Sequence, residues 1–219
     1  ELWAHDTSNA STWQVADILS GTHQAFNQGN PGQYMGILVG DTLYFSAIDG
    51  SSGSELWAHD TSNASTWQVA DIRSAGGSNP GTYMSILVGD TLYFDADDAN
   101  SGSGNNVELW AHDTSNSSTW RVADIYSGDG SNPGEYMEIL VGDTLYFSAD
   151  SGWNGHELWA HDTSNASTWE VADLSSGYHG SSNPGEYMAL LVGDTLYFSA
   201  NDGSSGSELW AHDTSNAST

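Results

Sequence analysis

Hydrophobic and polar positions alternate over short stretches of this chain, and the stretches come in sets of four. The set that begins at residue 34 is representative. Residues 34–39 are short and apolar, and Gly40-Asp41 follows, a pair that tolerates the positive φ of a tight hairpin turn. Residues 42–47 are rich in β-branched and aromatic side chains. A Gly/Ser-rich loop leads to residues 55–60, a polar loop spans 61–65, and residues 66–72 complete the set. No stretch sustains a helical period, and Gly or Pro punctuates every gap. The pattern predicts an all-β protein.

The sets are copies of one another. The string ELWAHDTSN begins at Glu1, Glu55, Glu108, Glu157 and Glu208, and between successive strings come an Asn-Pro-Gly, a Tyr-Met and a block such as LVGDTLYF. The chain reads as a single repeat domain over 1–219, with a partial unit at 1–18, units at about 31–72, 80–125 and 133–174, and a partial unit at 184–219. It starts and stops inside a repeat, which reads as a processed product or a piece of a longer array. A meander of four strands cannot cover both of its own faces, so neighbouring copies must do so. The expected architecture is a β-propeller of four-stranded antiparallel blades, four in number with a surplus ELW strand, and a linear stack of β-sheets is the alternative. In the ring, the first two strands of the last unit would pair with residues 1–18 and leave one ELW strand over.

Composition narrows the partners. The chain has 29 acidic residues against two arginines, no lysine and no cysteine, for a net charge of -27. That charge comes less from excess acid than from missing base, whereas halophile adaptation usually adds carboxylates. Without a cationic footprint, nucleic acid is not expected as a partner, and neither is an anionic membrane surface. No apolar run approaches a membrane span, so no membrane insertion is expected. The absence of cysteine excludes disulfides, thiol chemistry and cysteine-ligated zinc. The absence of lysine resists trypsin-like cleavage and fits an extracellular life.

Candidate chemistry is repeated rather than singular. The pairs His5-Asp6, His59-Asp60, His112-Asp113, His161-Asp162 and His212-Asp213 suggest a dyad or a metal site, but their presence in every copy favours a structural role. Asp17, Asp71, Asp124 and Asp173 sit inside the VAD strands, where ladder-end hydrogen bonding accounts for them. No catalytic or metal residue is assigned, and calcium has a weak candidate in the oxygens of Asp95, Asp97, Asp98 and Asn100. Trp57 and Trp67 are read as packing between sheets rather than as sugar platforms. Trp153 occurs once, in a polar loop, and is a candidate contact residue. Asn-x-Ser recurs at Asn9, Asn63, Asn116, Asn165 and Asn216, and these are the expected N-glycosylation sites. The motif survives in the third copy even though Ala is replaced there by Ser117. In an antiparallel meander these loops share one end of the blade with the constant Gly-Asp turns, and the variable loops, such as 97–107 and 19–30, lie at the other.

The order Leu92-Tyr93-Phe94, then Asp202-Gly203 before Glu-Leu-Trp, then Asp60-Thr61 and Val69-Ala70-Asp71-Ile72 resembles the ELWxxDGT-repeat proteins, which are large secreted or surface-attached proteins. The likeness covers essentially the whole chain. It departs at the Asp-Gly-Thr, where this chain reads His59-Asp60-Thr61-Ser62 without glycine. The resemblance implies a propeller-like surface protein and no particular chemistry. The expectation is therefore a non-enzymatic, extracellular or cell-surface, glycosylated structural protein, a building block of a coat, fibre or filament. It would associate with itself end to end or with other surface proteins, and carry N-linked glycans but no other cofactor. A multivalent carbohydrate-binding lectin or adhesin is the alternative.

Overall fold

The computed structural model describes residues 1–19, 28–99, 106–176 and 180–219. Among these there is no helix, only strands, turns and loops. The strands are β1 (Leu2–Asp6), β2 (Ser11–Ala16), β3 (Gly36–Val39), β4 (Thr42–Ile48), β5 (Ser54–Asp60), β6 (Ser65–Ala70), β7 (Ser85–Val88), β8 (Thr91–Asp97) and β9 (Val107–Asp113). They continue as β10 (Ser118–Ala123), β11 (Glu138–Val141), β12 (Thr144–Asp150), β13 (His156–Asp162), β14 (Ser167–Ala172), β15 (Ala189–Val192), β16 (Thr195–Asn201) and β17 (Ser207–Asp213). Three sheets have four strands each, β3–β6, β7–β10 and β11–β14, always in sequence order. The paired strands are antiparallel. This meander is the blade of a β-propeller, and the all-β class expected from the pattern holds.

The remaining strands differ from the expected partition. β17, the last ELW strand, is not left over: it pairs with β16 from Thr195↔Asp213 to Asn201↔Ser207, in a three-stranded sheet β15–β17. β1 and β2 form a two-stranded sheet of their own. Closing a short local loop costs less chain entropy than recruiting an identical strand far along the sequence. The chain divides into two compact units, Glu1–Ala99 with His112–Thr119, and Asn100–Ala111 with Trp120–Thr219.

Two strand ends fall two residues short of the expectation, for one reason. Tyr34 and Met35 lie outside β3 because their amides donate to the Ser46 hydroxyl rather than to a strand ladder. Ile72 lies outside β6 because its amide donates to the Glu55 carboxylate. Side chains that accept backbone hydrogen bonds compete with the sheet for them. The hairpin turn at Gly40-Asp41 forms as expected, with Gly40 at φ 58°.

Within each unit, sheets pack face to face. In the first, Ile18, Phe45 and Ala47 are buried with Leu2, Ala16, Leu43 and Trp57 against them, so the β1–β2 hairpin lies on one face of β3–β6. In the second, Met137, Tyr146, Leu158 and Ala160 meet Leu196, Phe198 and Ala200. Burying one such Phe or Leu contributes about 1.5–3 kcal/mol. The glycine of Asn-Pro-Gly lets the sheets close: a Cβ on Gly81 would sit 2.6 Å from the Met35 Cβ, and one on Gly185 would sit 2.6 Å from that of Met137.

Candidate functional site

The loop after each ELW strand folds around its aspartate. The Asp60 carboxylate accepts the Ser62 amide at 2.8 Å, the Ser62 hydroxyl at 2.6 Å and Asn63 Nδ2 at 2.6 Å. Asn63 Oδ1 in turn accepts the Ser65 amide at 2.9 Å. The other four copies repeat this set at Asp6, Asp113, Asp162 and Asp213. The serine donors hold the carboxyls of all five aspartates below the ordinary carboxylate range. The residue after each asparagine is left-handed, as with Ala64 at φ 58°. Thr61 ties the tip to the Gly-Asp turn, its amide and hydroxyl both donating to the Asp41 carbonyl at 2.8 Å. The two turns therefore share one end of the blade, as the meander required.

Asn9, Asn63, Asn116, Asn165 and Asn216 are all exposed on these tips. Nδ2 carries two hydrogens and gives one to the aspartate, so a sugar on the same nitrogen and the turn are compatible. The opposite end of the blade is less fully described, since residues 20–27 and 100–105 lie outside the described residues.

A second repeated arrangement was not anticipated. Glu55, Glu108 and Glu157, the first letters of ELW, are completely buried. Glu157 accepts the Leu174 amide at 2.9 Å, the Ser182 amide at 3.0 Å and the Ser182 hydroxyl at 2.6 Å. Glu55 does the same with Ile72 and Ser78, and Glu108 takes Ile125, Tyr126 and Ser131. Each glutamate thus clamps the segment that leads into the next sheet. Burial pushes all three carboxyls up to about 7, against the pull of their hydrogen bonds, and Asp71, Asp124 and Asp173 add like charge. The signal was present in the sequence: Glu55 alternates with Trp57 and His59 on an inward face, and a Ser precedes Asn-Pro-Gly in three of four loops. In the first loop that position is Gly29, and Glu1 accepts the Ile18 amide at 2.8 Å.

The histidines each meet a threonine of the neighbouring strand. His59 Nδ1 lies 2.8 Å from Thr66 Oγ1, and His112, His161 and His212 repeat the pair. Burial lowers the pKa of His112, His161 and His212. Tyr44 packs on His112 and Tyr146 on His212, each with ring centroids 5.4 Å apart. Asp17, Asp71, Asp124 and Asp173 are exposed, and Arg121 pairs with Asp124 at 3.4 Å.

Two of the calcium candidates, Asp95 and Asp97, hold other partners. Asp95 takes the place of Ser46, accepting the Tyr83 and Met84 amides at 2.8 and 2.9 Å. Asp97 is paired with Arg73 and accepts the Ala99 amide. Asp98 follows in the loop, and Asn100 lies outside the described residues. Among the described residues, no three His, Asp or Glu side chains converge on a metal position. Trp153 is 71% exposed in its loop. In the first unit, a cavity of about 400 Å³ lies between the hairpin and β3–β6, lined by Leu2, Trp3, Trp13, Leu43, His59 and Thr61 among others.

No family model matches the chain, and no curated protein matches it. Among solved structures it is similar to puromycin hydrolase, with a TM-score of 0.53 and 14% identity, over 96% of this chain and 30% of that one. A mutant of that enzyme in complex with PGG gives the same figures. The Niastella koreensis GH74 enzyme has a TM-score of 0.44 at 11% identity, over 78% of this chain and 26% of that one. The chain spans less than a third of the length of either protein. The likeness to puromycin hydrolase supports an all-β fold of the propeller type. It also corrects one expectation, that the chain is not an enzyme: the two solved structures that carry the likeness, at a TM-score of 0.53, are of a hydrolase. The error was to treat repetition as evidence against chemistry, whereas a fold carries whatever site is built on it. At 14% identity the likeness concerns the fold, and no substrate or catalytic residue passes from those proteins to this chain.

Proposed function

We propose that this chain is a building block of an extracellular coat, fibre or filament at a cell surface, with N-linked glycans on its blade tips. The observation that carries this reading is the equivalence of the copies. The same aspartate–asparagine tip forms five times, and the same buried glutamate clamp forms three times. A property spread evenly over stacked units suits a repeating surface. The resemblance to ELWxxDGT-repeat proteins, which are secreted or surface-attached, supports the same location. Fractionation of native cells, with glycopeptide mass spectrometry of the recovered protein, tests it. Surface recovery with glycan on the five tip asparagines is the expected result. A protein found inside the cell and unmodified at all five rejects the reading.

A second reading, a multivalent carbohydrate-binding protein or adhesin, is favoured by the cavity beside Trp13 and His59, where aromatic faces and polar edges stand together. Its test is a glycan array, with loss of the signal in Trp13→Ala.

A further inference from the structure

We propose that the exposed indole of Trp67, and that of Trp169 in its copy, is the seat of the first sugar of a glycan attached to Asn63 and Asn165. The proposal rests on the reading that the tips carry N-linked glycans, and it gives each glycan a fixed place on the protein.

The spacing comes from the sequence. A tryptophan follows the Asn-x-Ser asparagine by four residues in Asn63 and Trp67, in Asn116 and Trp120, and in Asn165 and Trp169. Trp67 reads as packing between sheets, yet Trp67, Trp120 and Trp169 are each 40% exposed. Tryptophan is highly buried on average, so the same large apolar ring is left partly in water at one position of three sheets.

Antiparallel register places the ring beside the tip. Between β5 and β6, Asp60 stands opposite Ser65 and Ala58 opposite Trp67. Side chains alternate across a strand, so Asp60, Ser65 and Trp67 share one face. Asp162, Ser167 and Trp169 do the same between β13 and β14. The two tryptophans stand on edge strands, β6 and β14, of their sheets.

The tip directs the sugar towards that ring. Asn63 Nδ2 donates one hydrogen to the Asp60 carboxylate at 2.6 Å, and its Oδ1 accepts the Ser65 amide at 2.9 Å. Asn165 makes the same two bonds with Asp162 and Ser167. A sugar on Nδ2 forms a secondary amide, whose trans form puts the sugar carbon on the Oδ1 side and the remaining hydrogen on the Cβ side. Oδ1 faces the Ser65 amide, so the sugar leaves over the start of β6. Trp67 lies two residues further, about 7 Å along the strand, within the span of one pyranose ring and its substituents. A pyranose presents an apolar C–H face that an indole covers favourably. One such contact holds a free sugar weakly, but attachment makes it intramolecular, at an effective concentration on the order of millimolar.

The test compares the full chain from a host without N-glycosylation with the same chain secreted by a eukaryotic host. The secreted form is trimmed with endoglycosidase H to one N-acetylglucosamine per occupied tip. Glycopeptide mass spectrometry establishes occupancy, and circular dichroism checks the folding of Trp67→Ala and Trp67→Phe. In the wild type, the ring protons of the Asn63 sugar should move upfield under the indole ring current. They should return to the positions of free N-acetylglucosamine in Trp67→Ala and keep part of the shift in Trp67→Phe. Hydrogen exchange at the Ser65 amide should be about fivefold slower with the sugar than without it. That ratio should fall to about one in Trp67→Ala, and as a ratio within one variant it is independent of any loss of stability from the substitution itself. Occupied Asn63 with unshifted sugar protons, or a ratio that survives Trp67→Ala, overturns the seat and leaves the glycan reading standing. Native protein unmodified at Asn63 and Asn165 overturns both.

Discussion

The sheets β11–β14 and β15–β17 are almost the same sequence in two surroundings. β12 reads TLYFSAD and β16 TLYFSAN, while β13 reads HELWAHD and β17 SELWAHD. Yet Leu158 is sealed and Leu209 open, Met137 is buried and Met188 exposed. Glu157 is enclosed by Leu174 and Ser182, whereas Glu208 is exposed. The tryptophans differ too. Trp210 Nε1 donates to the Ala200 carbonyl at 3.1 Å, and the buried Trp159 Nε1 has no acceptor among the described residues. The strands form in both places, because pairing and alternation are properties of the repeat. Burial is a property of the neighbour, and in a stacked array stability resides in the interfaces as much as in the units.

The largest expected effect follows directly. Leu158→Ala opens a cavity between two sheets and should cost about 2–5 kcal/mol. Leu209→Ala, the same change in the same motif, should stay within about 0.5 kcal/mol. Urea midpoints of the two variants make the measurement. Equal costs would break the comparison, since the neighbour would then contribute nothing.

The pH dependence sharpens it. Glu157, raised to about 7 when folded, holds its proton more tightly than in the unfolded chain. Its contribution to stability is complete below the unfolded carboxylate range near 4.3 and is lost as pH rises through about 7. Glu55 and Glu108 act in the same direction. His112, His161 and His212, lowered by burial, oppose them, since their contribution is lost as pH falls below the usual histidine range. The urea midpoint of the wild type should therefore rise as pH drops from 8 towards 6.5, then level off. Further down, protonation of the tip aspartates removes stability again. Glu157→Gln should be more harmful at pH 5 than at pH 8, and should flatten the slope by up to about one proton. An unchanged slope would show that the clamp is not the titrating group.

Much of this was readable in the chain, and the exceptions share a cause. Alternation located the strands, Gly40-Asp41 the hairpins, and antiparallel geometry placed the Asn-x-Ser tips beside the Gly-Asp turns, where Thr61 now bonds to Asp41. What escaped was every place where a side chain replaces a backbone partner. Tyr34 and Met35 look like strand but give their amides to Ser46. Glu55 reads as one more strand residue but accepts from Ile72 and Ser78. Asp95 looks like a cation ligand but does the work of Ser46. The choice of β17 over β1–β2 as the partner of β16 was hidden for another reason. The candidate strands are nearly identical, so composition cannot rank them and only chain connectivity does.

The smallest effect is the one on which the two regions must agree. The tip at Asn165 belongs to the covered sheet and the tip at Asn216 to the open one, yet both asparagines are exposed and make the same bonds. Asn165 Oδ1 accepts the Ser167 amide at 2.9 Å, and Asn216 Oδ1 accepts that of Ser218 at 3.0 Å. Nothing in either tip depends on a neighbouring sheet, so Asn165→Ala and Asn216→Ala should each remove about 1 kcal/mol of local protection. Hydrogen exchange at the Ser167 and Ser218 amides should accelerate by about fivefold in the matching variant, with exchange elsewhere in the sheets unchanged. A much larger response at Ser218 than at Ser167 would mean that the open sheet loosens its tip as well as its face. The division between what the repeat sets and what the neighbour sets would then have to be drawn further inside the unit.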